Sequence, residues 1–369
     1  MHIDSVEVYR VAMPLVYPFR TAYGSDDCIE SVLVRMAGGG WYGWGEASPL
    51  RAPTYSSEWA QGVFIVVRDW LAPLVVDRDV EAGVDLQRLL SSLKGNHFAK
   101  AALDLAWWDL HARLLETPLW RLIGGKDPVA DVGADFGVMD SLDELLEEVA
   151  KARDSGYKRA KLKFRPGWDL NMVSRVRERF PDIVMHIDCN SGYTLADLSL
   201  FQTLDRFGLA MVEQPLAHDD LLDHSKLQRS IDTPVCLDES IVSPQKARQA
   251  IELSACRWVN IKPGRVGGLT QALAIHDICD EAGIPCWVGG MLESAVGQSA
   301  NLALATLPNI RYPSDVFPSS RFYRLDLGRP EMKLSGPSKM TASDAPGIGC
   351  EPDPELLLRL LVEKAVVAA

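Results

Sequence analysis

Lys161-Leu162-Lys163, Ile183-Val184-Met185-His186-Ile187-Asp188, Gly208-Leu209-Ala210-Met211-Val212-Glu213, Thr233-Pro234-Val235-Cys236-Leu237-Asp238 and Arg257-Trp258-Val259-Asn260-Ile261-Lys262 follow one another along the chain. Their closing residues, Lys163, Asp188, Glu213, Asp238 and Lys262, lie 25, 25, 25 and 24 residues apart. Each run is short and apolar, ends in a charged residue and leads into a helix-patterned segment. A strand-then-helix unit recurring at such a period marks a repeat architecture. Eight such units close into a barrel whose strand C-termini share one face, where barrel enzymes keep their active sites. Five ionisable side chains are therefore expected to converge on one mouth: three carboxylates flanked by two lysines.

Working outward, the barrel begins near Asp131, with Val132 to Val138 as its first strand. Ser141-x-x-Glu144 reads as a capping box, and Ser243-Pro244 as a helix start with proline in the first position. The last units are Ile284 to Gly290 and a weak eighth strand around Ile310 to Asp315. Upstream, Val6, Val8, Val32, Val34 and Met36 alternate as half-buried strands, and Pro18 to Gly24 reads as a loop. Gly38-Gly39-Gly40 reads as a hairpin turn; no helix follows it, so it is no phosphate loop. Ala99, Ala102, Leu103, Ala106, Trp107 and Leu110 form a buried helical stripe, with His111 a packing residue. This gives an α+β domain ahead of an α/β barrel. Residues 321–335 read as strand-like again, and Glu355 to Val362 as an amphipathic helix packing back on the first domain. The expected units are 1–125, 126–320 and a C-terminal segment 321–369.

The chain has 369 residues, 47% of them hydrophobic, and a net charge of −12. A nucleic-acid or anionic-membrane partner is not expected. No apolar run approaches a membrane span, and Met-His-Ile-Asp-Ser does not open a signal peptide. The seven cysteines are odd in number and contain no Cys-x-x-Cys, which reads as reduced thiols in a cytoplasmic protein.

A lone acidic residue at a strand end is ordinarily solvated or caps a helix, but independent carboxylates have no reason to keep one register. Three oxygen ligands without histidine or cysteine suit a hard divalent cation, Mg²⁺ above all, with Mn²⁺ as a substitute. Asp188, Glu213 and Asp238 are the candidate ligands. Lys163 and Lys262 bracket them, and a cation together with Lys161, two residues back on the same strand face, works against the ammonium form of Lys163. Such a set suits proton abstraction alpha to a carboxylate: the metal binds the substrate carboxylate and stabilises an enediolate, with one lysine on each face. A leaving group at the β-carbon turns the same intermediate to elimination. A Schiff-base aldolase would use one lysine as nucleophile, but has no need of the carboxylates.

Lys161-Leu162-Lys163, Asp188-Cys189-Asn190-Ser191-Gly192-Tyr193-Thr194, Glu213-Gln214-Pro215-Leu216, Leu237-Asp238-Glu239-Ser240 and Asn260-Ile261-Lys262-Pro263-Gly264 resemble the motifs of the muconate-lactonizing subgroup of the enolase superfamily. The resemblance runs nearly end to end, including Pro18-Phe19-Arg20-Thr21, Tyr55-Ser56-Ser57-Glu58 and Arg321-Phe322-Tyr323. Within the subgroup it is strongest to o-succinylbenzoate synthases, which act in menaquinone biosynthesis, and N-acyl (N-succinyl) amino acid racemases. It implies a (β/α)7β TIM-like barrel under an N-terminal capping domain completed by the C-terminal tail. Loops near Phe19–Tyr23 and Pro53–Ser56 would close over a small carboxylate substrate. It further implies that Asp188, Glu213 and Asp238 bind Mg²⁺, that Lys163 moves the proton, and that Lys262 acts as a cation. Lys161 and Asn190 would support them, and Phe19, Tyr55, Met291 and Leu292 would line the substrate pocket. A homo-oligomer is also implied.

The segment Gly289 to Ser294 lacks the histidine of the mandelate-racemase branch. Ser314-Asp315-Val316-Phe317 supplies one aspartate where dipeptide epimerases carry two. Cys189 stands where alanine is commoner and is expected to pack. Muconate-type cycloisomerase and dipeptide epimerase activities remain the alternatives.

Overall fold

The computed structural model describes residues 1–21 and 24–369; Ala22 and Tyr23, part of the expected Phe19–Tyr23 loop, lie outside the described residues. Strands β1 (Ser5–Thr21), β2 (Gly24–Gly38) and β3 (Trp41–Ala47) form an antiparallel meander. Val6, Val8, Val32, Val34 and Met36 are fully buried, as their alternation predicts. Gly38 pairs with Trp41 across the glycine turn, where Gly39 and Gly40 take φ of 60° and 79°. A two-residue turn of this hand needs positive φ at both centres, which glycine adopts without strain.

The expected loop at Pro18 is instead a continuation of β1. Phe19, Arg20 and Thr21 pair with Asp26, Ser25 and Gly24 after a register shift that follows Pro14. Pro14 and Pro18 lack the N–H that the ladder needs, so pairing lapses as a bulge and resumes beyond them. Helix α1 (His97–Leu114) packs on the meander, and each predicted stripe residue is at most 1% exposed. The approach is backbone to backbone: a Cβ on Gly43 would come within 2.2 Å of the Leu110 nitrogen. His111 stacks on Trp107 with ring centres 4.7 Å apart, a packing role.

Seven parallel strands then follow in chain order and lie side by side in that order. They are β4 (Ala134–Phe136), β5 (Arg159–Lys163), β6 (Val184–Asp188), β7 (Val212–Glu213), β8 (Val235–Leu237), β9 (Trp258–Ile261) and β10 (Cys286–Val288). The eighth segment is not a ladder. It bridges β10 at Ile310 and the start of β4 at Ser314, and Asp315 N–H donates to the Val288 carbonyl. The ring is thereby closed as a TIM-like barrel. Ser141 and Ser243 cap their helices as expected, accepting from Glu144 N–H and Lys246 N–H.

Two expectations for the tail need correction. Between 321 and 335 only Gly328–Arg329 is strand. The C-terminal helix, Pro354–Leu360, ends early, and Leu361–Ala368 forms a strand antiparallel to β1 along the open edge of the meander. A short apolar run such as Leu356 to Val362 has no decisive period; the β-branched Val362, Val366 and Val367 and the free edge settle it as strand. No helix among the described residues is long and apolar enough to cross a membrane.

Candidate active site

Register brings the five strand-end residues to one rim. Lys163 pairs laterally with Asp188, and Asp188 with Glu213. Asp238 lies two residues beyond Cys236, the partner of Glu213, and so returns to the same face. Lys262 follows the end of β9. Asp188, Glu213 and Asp238 are at most 1% exposed.

Lys161 is the hub. Its Nζ lies 2.9 Å from Glu213 Oε2, 3.2 Å from Asp188 Oδ2 and 3.3 Å from Asp315 Oδ2. Burial opposes its charge, but Asp188, Glu213 and Asp315 hold its pKa well above the ordinary lysine value. Burial likewise pushes Asp188 up, and Lys161 and Lys163 outweigh it, holding the carboxyl far below the usual range. Lys163 Nζ donates to Asp188 Oδ2 at 2.7 Å and to Asn190 Oδ1 at 3.2 Å. Asn190 also donates to Glu239 and sits at φ 44°, strained backbone of the kind that gathers at functional sites.

On the far side, Lys262 Nζ donates to Asp238 Oδ2 at 2.8 Å and to the Tyr55 hydroxyl at 3.3 Å. Burial works to lower its pKa, but Tyr55, Glu239 and Glu213 leave it raised, so Lys262 is held as a cation. Tyr55, from the capping domain, donates to Asp238 Oδ1 at 3.1 Å. The cavity between the two lysines has an apolar wall of Phe19, Ile29, Leu50, Met291, Leu292 and Phe317. All four residues expected to meet substrate therefore line it, together with Asn190 and Lys161. Cys189 is fully buried, as a packing residue should be.

Reading the sequence did not identify four further members. Asp315 binds both Lys161 and Arg159, the latter at 2.6 Å. Arg265 pairs with Asp238 and donates to Tyr55 at 3.2 Å. His186, two residues before Asp188, lies 3.2 Å from Glu213 Oε2. Asp135, on β4, lines the cavity beside the lysines. The period-two rule could have found His186, since it shares a face with Asp188 just as Lys161 does with Lys163.

The donor set has the chemistry of a hard-cation site: three buried carboxylates on consecutive strand ends, all oxygen, with cationic neighbours. As arranged they turn to Lys161, Lys163, Lys262 and Arg265, and among the described residues no three acidic, histidine or cysteine side chains converge to enclose an ion.

Residues 3–124 match the mandelate racemase/muconate lactonizing enzyme N-terminal domain, and residues 144–356 the enolase C-terminal domain-like family. The chain is 42% identical over 370 residues to an N-succinylamino acid racemase from Amycolatopsis sp, covering 100% of both. It is 41% identical over 354 residues to an o-succinylbenzoate synthase from Geobacillus kaustophilus, covering 96% of this chain and 94% of that one. A crystal structure of an enolase-superfamily member from Listeria innocua superposes with a TM-score of 0.96 at 33% identity, covering 100% and 99% of the two chains. The chain, whose capping domain lends Tyr55 to a barrel rim of carboxylates and lysines, is an enzyme of the mandelate racemase/muconate lactonizing family of the enolase superfamily.

Proposed function

We propose that the protein abstracts a proton alpha to a substrate carboxylate, passing through an enediolate. It would act as an N-succinylamino acid racemase, an o-succinylbenzoate synthase, or both, since one intermediate serves the two reactions. The observation that carries this reading is the placement of the lysines. Lys163 and Lys262 belong to the second and sixth of the eight barrel segments, so they face each other across the mouth, and both line one cavity. Full-length identity of 41–42% to proteins named for these two activities supports it.

Enzymes of this family are metal-dependent. Asp188, Glu213 and Asp238 are the residues that would hold Mg²⁺ here, and the bound ion supplies neutralisation of developing negative charge on the substrate carboxylate. Lys163 takes the α-proton at Nζ on one face of the substrate. Lys262, kept cationic, stabilises the planar intermediate from the other face and returns a proton in racemisation. In dehydration Lys163 hands its proton to the departing hydroxyl. Lys161 holds Asp188 and Glu213 ionised, and the apolar wall with the capping domain excludes water. Asn190 orients Lys163 through its 3.2 Å contact.

The test uses purified protein with Mg²⁺ in D₂O and an N-succinyl-L-amino acid, following the α-proton by NMR. A parallel sample with the cyclohexadiene precursor of o-succinylbenzoate is followed by absorbance. Exchange with loss of optical rotation, abolished in Lys163→Ala, supports racemisation, and the two rates rank the activities. Reaction with neither substrate refutes the assignment.

A further inference from the structure

One acidic group at the barrel mouth, Asp135, lies outside the ion pairs described above. It sits on β4 directly beside Lys161 in register, so its side chain shares the inward face with Lys161 and Lys163. It is 7% exposed, yet its Oδ1 has no hydrogen-bond partner among the described residues. Asp188, Glu213, Asp238 and Asp315 each hold a lysine or arginine. A buried carboxylate oxygen without a partner is costly, and one facing a substrate cavity is satisfied when a ligand brings a donor. Asp135 lines the first cavity together with Lys163, the residue proposed to take the α-proton. Asp135 also lines a second cavity, with Arg20, Phe136 and Met139.

We propose that Asp135 is a specificity-determining residue: it accepts a hydrogen bond from a substrate N–H, so the site selects N-acylamino acids over carboxylic acids lacking that donor. This rests on the α-proton chemistry proposed above and narrows its substrate class. A second carboxylate at the same spot would be repelled, and a carbocyclic ring offers no nitrogen donor there.

The experiment compares α-proton exchange in D₂O, with Mg²⁺, for an N-succinylamino acid and its ester isostere, the 2-succinyloxy acid, in which oxygen replaces N–H. The wild type is expected to favour the N–H substrate in kcat/KM by about tenfold to a hundredfold. Asp135→Ala should bring that ratio to about one, chiefly by raising KM for the N–H substrate, and Asp135→Asn, which keeps a carbonyl acceptor, should retain part of it. The ratio is taken within one preparation, so a smaller folded fraction cancels. An unchanged ratio in Asp135→Ala, or an equal fall for both substrates, overturns the inference while leaving the proposed function standing. No exchange of either substrate by the wild type overturns both.

Discussion

Replacing Asp315 by asparagine removes one negative charge from the most enclosed part of the site. Its two oxygens face Arg159 at 2.6 Å and Lys161 at 3.3 Å, and both cations are at most 2% exposed. At an effective dielectric of about 20, those separations give gross attractions of roughly 6 and 5 kcal/mol. Desolvating the ions costs several kcal/mol each, so the intact cluster is worth far less than that total. Removing one partner is a different matter, because Arg159 and Lys161 stay buried with part of their counter-charge gone; the expected loss is about 3–5 kcal/mol. The assay is urea unfolding in EDTA, read by tryptophan fluorescence, with Asp315→Asn, Arg159→Met and the double variant forming a cycle. The double variant should be less destabilised than the sum of the singles by about 1.5–3 kcal/mol. Additivity within about 0.5 kcal/mol, or a single-variant loss below about 1 kcal/mol, would refute the view of Asp315 as the counter-charge of this cluster.

Lys163→Ala and Lys262→Ala should each lower kcat for α-proton exchange by at least about a thousandfold, since each removes a proton-transfer or charge-stabilising group. Chelation by EDTA should abolish turnover, and Mg²⁺ or Mn²⁺ should restore it, measured by the same NMR exchange; activity that persists through exhaustive chelation would contradict the hard-cation assignment. The His97 pKa is lowered from 6.5 to about 4, chiefly by burial. Between those values the unfolded chain binds a proton that the folded chain does not, so stability rises with pH across the window and falls as pH drops through it. Allowing for partial exposure, the loss from pH 7 to pH 4 is about 2 kcal/mol, and His97→Gln should flatten it in pH-resolved urea titrations.

The barrel was legible because its message is repeated: one register, closed by a charged residue every 24 or 25 positions, names Lys163, Asp188, Glu213, Asp238 and Lys262 together. A second interior layer, Lys161, His186 and Asn260, is legible by counting two back along each strand, since alternate residues share a face. The sequence places Asp315 at the end of the eighth segment but not as the counter-charge of Lys161 and Arg159, because that segment holds the ring by isolated bridges and never builds a ladder with a pattern of its own. Arg265 escaped because it lies in a single helical turn, Pro263–Val266, and reaches back to Asp238 from beyond Lys262. At β1 and at the tail, proline chemistry and a vacant sheet edge overrode the local pattern.

What sequence periodicity cannot encode is the wall that meets the substrate. Met291 and Leu292 occupy a segment held from two distant places and by one local bond. Glu46, in the capping domain, accepts from the Ser294 N–H and hydroxyl and from Gly297 N–H. The Tyr323 hydroxyl donates to the Leu292 carbonyl. Glu293 accepts from Met291 N–H at 2.9 Å. Together these bonds hold Leu292 at φ 58°, a conformation a leucine keeps only when its surroundings over-determine it. Tyr55 ties the same capping domain to Asp238 and Lys262. The domain that covers the mouth therefore fixes both the apolar wall and one of the two lysines. It follows that the chemistry and the apolar wall are written differently in this chain. The chemistry lies in a local repeat that can be read residue by residue, and the apolar wall in contacts between segments as far as 251 residues apart, which only the folded molecule brings together.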